Sequence, residues 1–225
     1  TDRGLNVMPL FHIHGLIAGI LAPVSRGGSV YCTTGFNALK FFNIMDEAHP
    51  TWYTAVPTMH QAILTRAERN AGIIGANPLR FIRSSSASLP VPVFQELEKV
   101  FGCPVIEAYA MTENAHQMTS NQLPPGQRKP GLVGCAAGPE VAVMAPDGRL
   151  LPSGAEGEIV TRGPNVTGGY ENNAKAKALQ QRLLNGLKDI EQVFINGKAA
   201  LRDGKPTDVL AGQVLLHKPT PGTCP

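Results

Sequence analysis

The chain has 225 residues, 43% of them hydrophobic and 16% charged, a composition that fits a globular protein and excludes a disordered one. The formal net charge of +3 comes from scattered Lys and Arg, so we expect neither a nucleic-acid nor a membrane partner. Four cysteines match no zinc or redox spacing, which favours incidental thiols in a reducing compartment. The apolar run Leu16–Val24 is too short to span a membrane.

Strand and helix patterns alternate over the first 110 residues. Aromatic and β-branched runs predict short strands, and apolar residues at helical spacing predict the segments between them. The predicted strands are 28–32, 52–56, 81–83 and 104–107, and the predicted helices are 36–48, 57–70 and 88–101. Such repeated units indicate a parallel sheet covered by helices, in which ligands bind at the carboxyl ends of the strands.

The pattern changes after Gly131. The predicted elements are antiparallel strands at 141–144 and 157–160 with a turn at 147–148, a helix at 174–187, and strands at 192–196 and 198–201 joined by Asn196-Gly197. We therefore predict domains at 1–130, 131–173 and 174–225, of which the second is a small β subdomain.

Small polar residues follow the strand at 81–83. The run Ser84–Ser88 precedes a helix, whose first N–H groups and positive dipole end attract anions. Small side chains also let a flat base or a carboxylate approach the backbone. The alternative is an ordinary serine-rich helix cap without a ligand.

A second polar segment follows the next strand. Tyr109 can stack on a base, Thr112 offers a hydroxyl to a phosphate, and Glu113 is a carboxylate suited to Mg²⁺. By itself this segment is a weak signal, equally typical of a polar loop. Further upstream, the spacing of His12 and His14 suggests a metal, but no third ligand lies near them, so we interpret His14 as a structural histidine.

In their order and spacing these segments resemble the acyl-adenylate-forming superfamily. The segments that carry the resemblance are Met8–Leu16, the serine-rich turn, Tyr109–Glu113, Gly131–Gly134, Gly157–Gly163 and Gly168–Tyr170. Residues 3–177 resemble the N-terminal domain of an acyl-CoA synthetase, and 107–131 is most similar to the oxalate–CoA ligase type. The resemblance implies an α/β fold, a partial doubly wound parallel sheet followed by a small antiparallel β subdomain.

The resemblance also implies roles for individual residues. Adenine and phosphate would be held by Ser86, Ala87, Ser88, Tyr109 and Thr112. His12 and Glu113 would be catalytic residues, His12 on the acyl and CoA side of the pocket and Glu113 binding Mg²⁺. Ser85 and His116 would face the acid. The implied reaction converts a small carboxylic acid such as oxalate, ATP and CoA into acyl-CoA, AMP and pyrophosphate.

Three parts of the family pattern are not found in the sequence. They are a Ser/Thr/Gly-rich loop ending in Lys-Gly that grips the triphosphate, a Gly-Asp that holds the ribose, and the mobile C-terminal domain with its catalytic lysine. We therefore expect a fragment that is inactive by itself. The alternatives are a non-catalytic module that binds nucleotide, CoA or a partner protein, and a non-functional pseudogene product. A cytoplasmic location is expected, or a peroxisomal one for a eukaryotic member.

The last part of the chain departs from the family. Residues 178–218 resemble the C-terminal β segment of D-aminoacylase-type amidohydrolases, in which a strand, an Asn-Gly turn and a second strand complete a small β-sandwich. This segment carries no catalytic residue in that family. The resemblance implies a fused or rearranged reading frame, and the alternative is a divergent tail with a chance hairpin.

Overall fold

The computed structural model describes residues 2–169 and, beyond them, the strand pairs at 194–195, 198–199, 201–202 and 205–206. The chain divides into two compact units. The first unit is Thr1–Ala110 with Ser120–Cys135, and the second is Met111–Thr119 with the residues from Ala136 onward. The domain boundaries at 130 and 173 stay predictions.

Seven strands form one sheet in the order β2-β1-β3-β4-β5-β6-β7. Their bounds are β1 Arg3–Asn6, β2 Ser29–Cys32, β3 Trp52–Ala55, β4 Phe81–Ser85, β5 Val105–Met111, β6 His116–Ser120 and β7 Cys135–Ala136. Strand β1 pairs in parallel with β2 and β3, and β4 pairs in parallel with β3 and β5. The predicted α/β fold with a largely parallel sheet is confirmed.

Helices fill the connections between these strands. They are a π-helix at His14–Leu21, α1 Ala22–Ser25, α2 Phe41–Ala48, α3 Pro57–Ala67, α4 Ala71–Ala76 and α5 Val91–Phe101, with 3₁₀ turns at Glu68–Asn70 and Thr112–Asn114. Among the residues that the structure describes, no helix combines the length and the apolar character needed to cross a membrane.

One face of the sheet carries the hydrophobic core. The pairing register aligns Leu5, Tyr53, Ile82 and Val105 in one row across β1, β3, β4 and β5. Each of these side chains is at most 1% exposed. The row packs in one cluster with buried side chains of α2, α3 and α5, namely Phe41, Met45, Ile63, Phe94 and Leu97. Each fully buried side chain of this kind contributes about 1.5–3 kcal/mol to stability.

The opposite face of the sheet is more polar. Side chains alternate along a strand, so Asn6, Thr54 and Arg83 lie on the side away from the core row. The side-chain amide of Asn6 donates to the carbonyl of Gly15 at 3.2 Å and so holds the π-helix against this face. A Cβ at Gly15 would overlap the carbonyl oxygen of Pro9, which explains the glycine there. Helices therefore cover both faces, as a doubly wound sheet requires.

Two helix boundaries differ from those that the sequence predicts. The helix expected from residue 36 begins at Phe41, because the side chain of Asn37 accepts backbone N–H groups in a turn just before it. The last helix begins at Val91 with Pro90 as its N-cap, and no side chain caps it. The alternative of a serine-rich helix cap in the run Ser84–Ser88 is therefore wrong, since all of these residues precede the N-cap and none of their side chains caps the helix.

The second unit contains the predicted antiparallel pair. Strand β8, Glu140–Met144, pairs with β9, Glu158–Arg162, and Val143 lies opposite Ile159. The predicted turn at Asp147-Gly148 is confirmed, and Gly148 adopts φ +87°, a conformation that favours glycine.

Two short antiparallel pairs occur near the end of the chain. Strand β10, Phe194–Ile195, pairs with β11, Lys198–Ala199, inside the segments predicted as strands, and the predicted turn between them lies outside the described residues. Strand β12, Leu201–Arg202, pairs with β13, Lys205–Pro206. The predicted helix at 174–187 lies outside the described residues.

Candidate functional site

The loop after β4 makes a sharp turn at Ser86. This residue has φ +74°, a left-handed conformation that is uncommon for residues other than glycine. The turn leaves Ser86, Ala87 and Ser88 exposed at the carboxyl end of the strand. Ser85 behaves differently, because it is 1% exposed and its hydroxyl donates to the carbonyl of Ala108 at 2.8 Å. Of these two neighbouring serines, Ser85 is buried and Ser86 is exposed.

A buried histidine holds the Ser86 side chain. His14 is 0% exposed, and its Nδ1 lies 2.9 Å from Ser86 Oγ. Its Nε2 lies 2.6 Å from Thr54 Oγ1 and 3.4 Å from Arg83 Nη1. Both ring nitrogens are therefore engaged by protein groups. This supports the interpretation of His14 as a structural residue rather than a metal ligand.

Glu107 ties two loops together beneath the turn. One carboxylate oxygen accepts the backbone N–H of Leu89 at 3.3 Å, and the other accepts that of Gly131 at 2.9 Å. The backbone N–H of Glu107 donates to Asn121 Oδ1. Burial raises the pKa of this carboxyl above its ordinary value. Sequence reasoning assigned no role to Glu107, although a single carboxylate in an apolar strand is a signal for such a buried bridge.

Tyr109 and His12 are the other expected site residues of the first unit. Tyr109 lies near the end of β5 and is half-buried, and burial raises the pKa of its phenol. His12 is exposed, and its Nδ1 accepts the backbone N–H of His14 at 3.2 Å. Because Nδ1 accepts, the neutral ring carries its proton on Nε2 and presents it as a donor.

Thr112, Glu113 and His116 belong to the second unit, around the 3₁₀ turn. Thr112 is exposed, whereas Glu113 is 4% and His116 is 2% exposed. The backbone carbonyl of Glu113 accepts the N–H of Thr167 at 2.7 Å. The turn is shaped by two residues with left-handed backbone, Ala115 at φ +46° and His116 at φ +86°.

Asn114 anchors this turn within the second unit. It is 0% exposed, its Oδ1 accepts from Thr161 Oγ1 at 3.1 Å, and its carbonyl accepts from Asn165 Nδ2 at 2.8 Å. Sequence reasoning gave Asn114 no role. The 3₁₀ turn that carries Thr112 and Glu113 is therefore fixed by side chains from two later segments of the chain.

Most of the chain matches the sequence model of a known protein family. The sequence model of the family described as AMP-binding enzyme matches residues 1–171. The chain belongs to the AMP-binding enzyme family. The tail at 178–218 lies entirely beyond the matched range, and its resemblance to amidohydrolases stays a prediction.

Individual relatives in the AMP-binding enzyme family include CoA ligases. The oxalate–CoA ligase of Arabidopsis thaliana is 46% identical over 179 residues, which cover 78% of this chain and 35% of that protein. A malonyl-CoA ligase, solved as a ternary product complex with methylmalonyl-CoA and AMP, is 34% identical with a TM-score of 0.67 and covers 80% of this chain and 38% of its own. The O-succinylbenzoate coenzyme A synthetase of Bacillus subtilis, solved with ATP and a magnesium ion, is 27% identical with a TM-score of 0.66. The match covers 80% of this chain and 36% of that one. The chain thus spans about a third of the length of these relatives.

Proposed function

We propose that the chain carries nucleotide- and acid-contacting residues of an ATP-dependent acid–CoA ligase. Such an enzyme first forms an acyl-adenylate and pyrophosphate from a carboxylate and ATP, and then transfers the acyl group to CoA. The main support is the exposed, left-handed turn at Ser86, in a chain of a family whose solved relatives bind AMP or ATP.

The proposed nucleotide contacts use small groups and one ring. The exposed backbone of Ser86, Ala87 and Ser88 offers N–H and carbonyl groups to the edge of adenine. Tyr109 stacks on the base, and its neutral phenol adds no charge. The exposed hydroxyl of Thr112 donates to the phosphate of the adenylate.

The proposed acid and CoA contacts use imidazoles and a hydroxyl. His12 presents its Nε2–H toward the acyl and CoA side, where a donor stabilises negative charge developing on the carbonyl oxygen. His116 is proposed to face the acid. The hydroxyl that we expected from Ser85 is used inside the sheet, so Ser86 takes that role in the proposal. The acid is proposed to be a small dicarboxylate such as oxalate, given the names of the relatives.

The proposed magnesium contact is Glu113. Among the residues that the structure describes, no three His, Cys, Asp or Glu side chains are grouped to hold a metal. Mg²⁺ is nevertheless commonly bound through one or two carboxylates together with substrate phosphates, so a single glutamate fits its donor preference. Bound there, the ion would neutralise phosphate charge during adenylation.

A binding experiment tests the nucleotide site. Titration calorimetry with AMP and with a non-hydrolysable oxalyl-adenylate analogue should show binding to the chain. Thr112→Val should weaken AMP binding about tenfold or more, because a hydrogen bond to a charged group is lost. Thr65→Val, which changes an exposed threonine on α3, is the matched control and should leave affinity unchanged. Absence of binding, or equal loss in both variants, refutes the proposal.

A chimera tests the ligase reaction. Residues 1–171 of this chain would replace the matching segment of the Arabidopsis oxalate–CoA ligase. Thioester formation from oxalate, ATP and CoA is the expected result, with loss of activity in Glu113→Gln. A chimera that binds AMP but forms no thioester would instead favour the non-catalytic nucleotide-binding module.

A further inference from the structure

The buried histidine behind the turn determines which way the Ser86 hydroxyl points. A guanidinium only donates hydrogen bonds, and Arg83 Nη1 lies 3.4 Å from Nε2 of His14. The same Nη1 lies 3.5 Å from Thr54 Oγ1, which leaves the threonine proton to be donated to Nε2 across 2.6 Å. Two donors therefore face Nε2, and this nitrogen acts as an acceptor.

An imidazole that accepts at Nε2 and stays neutral carries its proton on Nδ1. The buried guanidinium of Arg83 disfavours a second positive charge on His14, because two cations in a desolvated site repel each other strongly. The Nδ1–H of His14 thus donates to Ser86 Oγ at 2.9 Å. The chain of donors runs from Arg83 through Thr54 and His14 to Ser86.

This direction of donation leaves the hydroxyl proton of Ser86 available to a ligand. Its oxygen accepts from His14, so its own proton points away from the histidine. Ser86 is exposed, and its left-handed backbone restricts where the side chain can lie. A hydroxyl that already accepts a hydrogen bond is a better donor, because successive hydrogen bonds polarise one another. Such a donor suits an anionic oxygen.

We propose that His14 is a positioning residue that fixes the Ser86 hydroxyl as a hydrogen-bond donor to an anionic oxygen of the ligand. The inference rests on the proposed function and adds to it, because it assigns the orientation of a group in that site. The anionic oxygen belongs either to the carboxylate of the acid or to the phosphate of the nucleotide. Separate titrations with oxalate and with AMP distinguish these two sources.

Two substitutions of His14 separate its two nitrogens. The amide nitrogen of asparagine can occupy the place of Nδ1, so His14→Asn keeps a donor to Ser86. The longer glutamine reaches the place of Nε2, so His14→Gln keeps the contact with Thr54 and loses the donor. We expect His14→Gln to weaken binding of the anionic ligand about tenfold or more. His14→Asn should keep most of the affinity of the unmodified chain.

Adenosine, which carries no anion, is the control ligand. Its affinity should not change in either variant, whereas a general disruption of the turn would weaken it as well. Ser86→Ala should weaken binding of the anion as much as His14→Gln does. The variant that combines Ser86→Ala with His14→Gln should lose no further affinity. Equal affinities of both His14 variants for the anion, or a parallel loss of adenosine, would overturn the inference.

Nitrogen NMR of the unmodified chain tests the same point without substitution. The ¹⁵N shifts of His14, assigned by their loss in His14→Gln or His14→Asn, should show a neutral ring protonated at Nδ1. A proton on Nε2 would reject the inference even if AMP binds. A chain that binds neither AMP nor oxalate, yet shows the Nδ1–H tautomer, would instead reject the proposed function and with it the ligand assigned to Ser86.

Discussion

Acidification should destabilise the fold through His60. This imidazole lies on α3, is 0% exposed and contacts the hydroxyl of Tyr53 across 3.2 Å. Burial lowers the pKa of His60 from 6.5 to about 4. The folded state therefore keeps the ring neutral in a range in which the unfolded chain protonates it. The stability due to this group is present above pH 6.5 and is lost as the pH falls from 6.5 toward 4.

The size of the effect follows from the two pKa values. The difference between 6.5 and 4 corresponds to about 3 kcal/mol below pH 4. Between pH 7 and pH 5 the same linkage gives a loss of about 2 kcal/mol. Such a loss is a large fraction of the stability of a typical domain, which is about 5–15 kcal/mol.

Urea unfolding at pH 7, 6 and 5 measures this loss. Trp52 is the only tryptophan of the chain, is 6% exposed and stacks on Phe81, so its fluorescence reports the state of the sheet. His60→Gln cannot ionise, and its free energy of unfolding should fall by about 2 kcal/mol less than that of the unmodified chain between pH 7 and pH 5. His12→Gln changes an exposed imidazole and is the control.

The reasoning fails if His60→Gln and the unmodified chain lose equal free energy over this range. It also fails if the control flattens the pH dependence as much as His60→Gln does. A lower stability of His60→Gln at pH 7 alone does not bear on the question, because repacking the buried site affects every pH equally.

Three further predictions concern backbone and loop anchors. Gly134 has φ +78°, and a Cβ there would overlap the carbonyl oxygen of Ser120. Gly134→Ala should therefore lower the free energy of unfolding by more than about 2 kcal/mol. Gly72→Ala, on α4 with open space around it, should instead stabilise by about 0.5–1 kcal/mol, and thermal unfolding compares the two. Glu107→Gln leaves one of two backbone N–H groups unpaired and should cost about 1–3 kcal/mol in urea unfolding. Ser86→Gly should be more stable than Ser86→Ala by about 1 kcal/mol, because both lose the hydroxyl and only glycine tolerates φ +74°; equal stabilities would contradict the left-handed turn.

Core strands β3 and β4 were predictable because aromatic and β-branched residues mark them, whereas β1, Arg3–Asn6, was not predicted although Leu5 lies in the core row. The runs Trp52–Ala55 and Phe81–Arg83 begin with aromatic residues, follow proline-containing loops and precede helices, so pattern and structure agree there. Strand β6 was missed, because His116–Ser120 is mostly polar although His116, Met118 and Thr119 are buried. The π-helix was missed too, since His14–Leu21 is apolar on every side and shows no helical period.

The candidate site was predictable as a set of segments and not as a set of contacts. Serines after a strand indicate a ligand loop, but nothing in the sequence distinguishes the buried hydroxyl of Ser85 from the exposed one of Ser86. The distinction lies in the turn itself, where Ser86 has a positive φ and its side chain contacts a residue distant in the sequence. His14 lies 72 residues away along the chain. Side-chain pairs at such separations leave no periodic signal.

The strained turn shows why these distant anchors matter. A serine at φ +74° is disfavoured by local backbone preference, so the surrounding structure must hold it. His14 supports its side chain from one side of the sheet, and Glu107 fixes Leu89, three residues after Ser86, through its backbone N–H. Both anchors are buried and hydrogen-bonded, which makes the turn rigid before any ligand arrives. A turn that is ordered in advance loses little conformational freedom on binding, and this is the condition under which a few small polar groups can hold a nucleotide or a small acid.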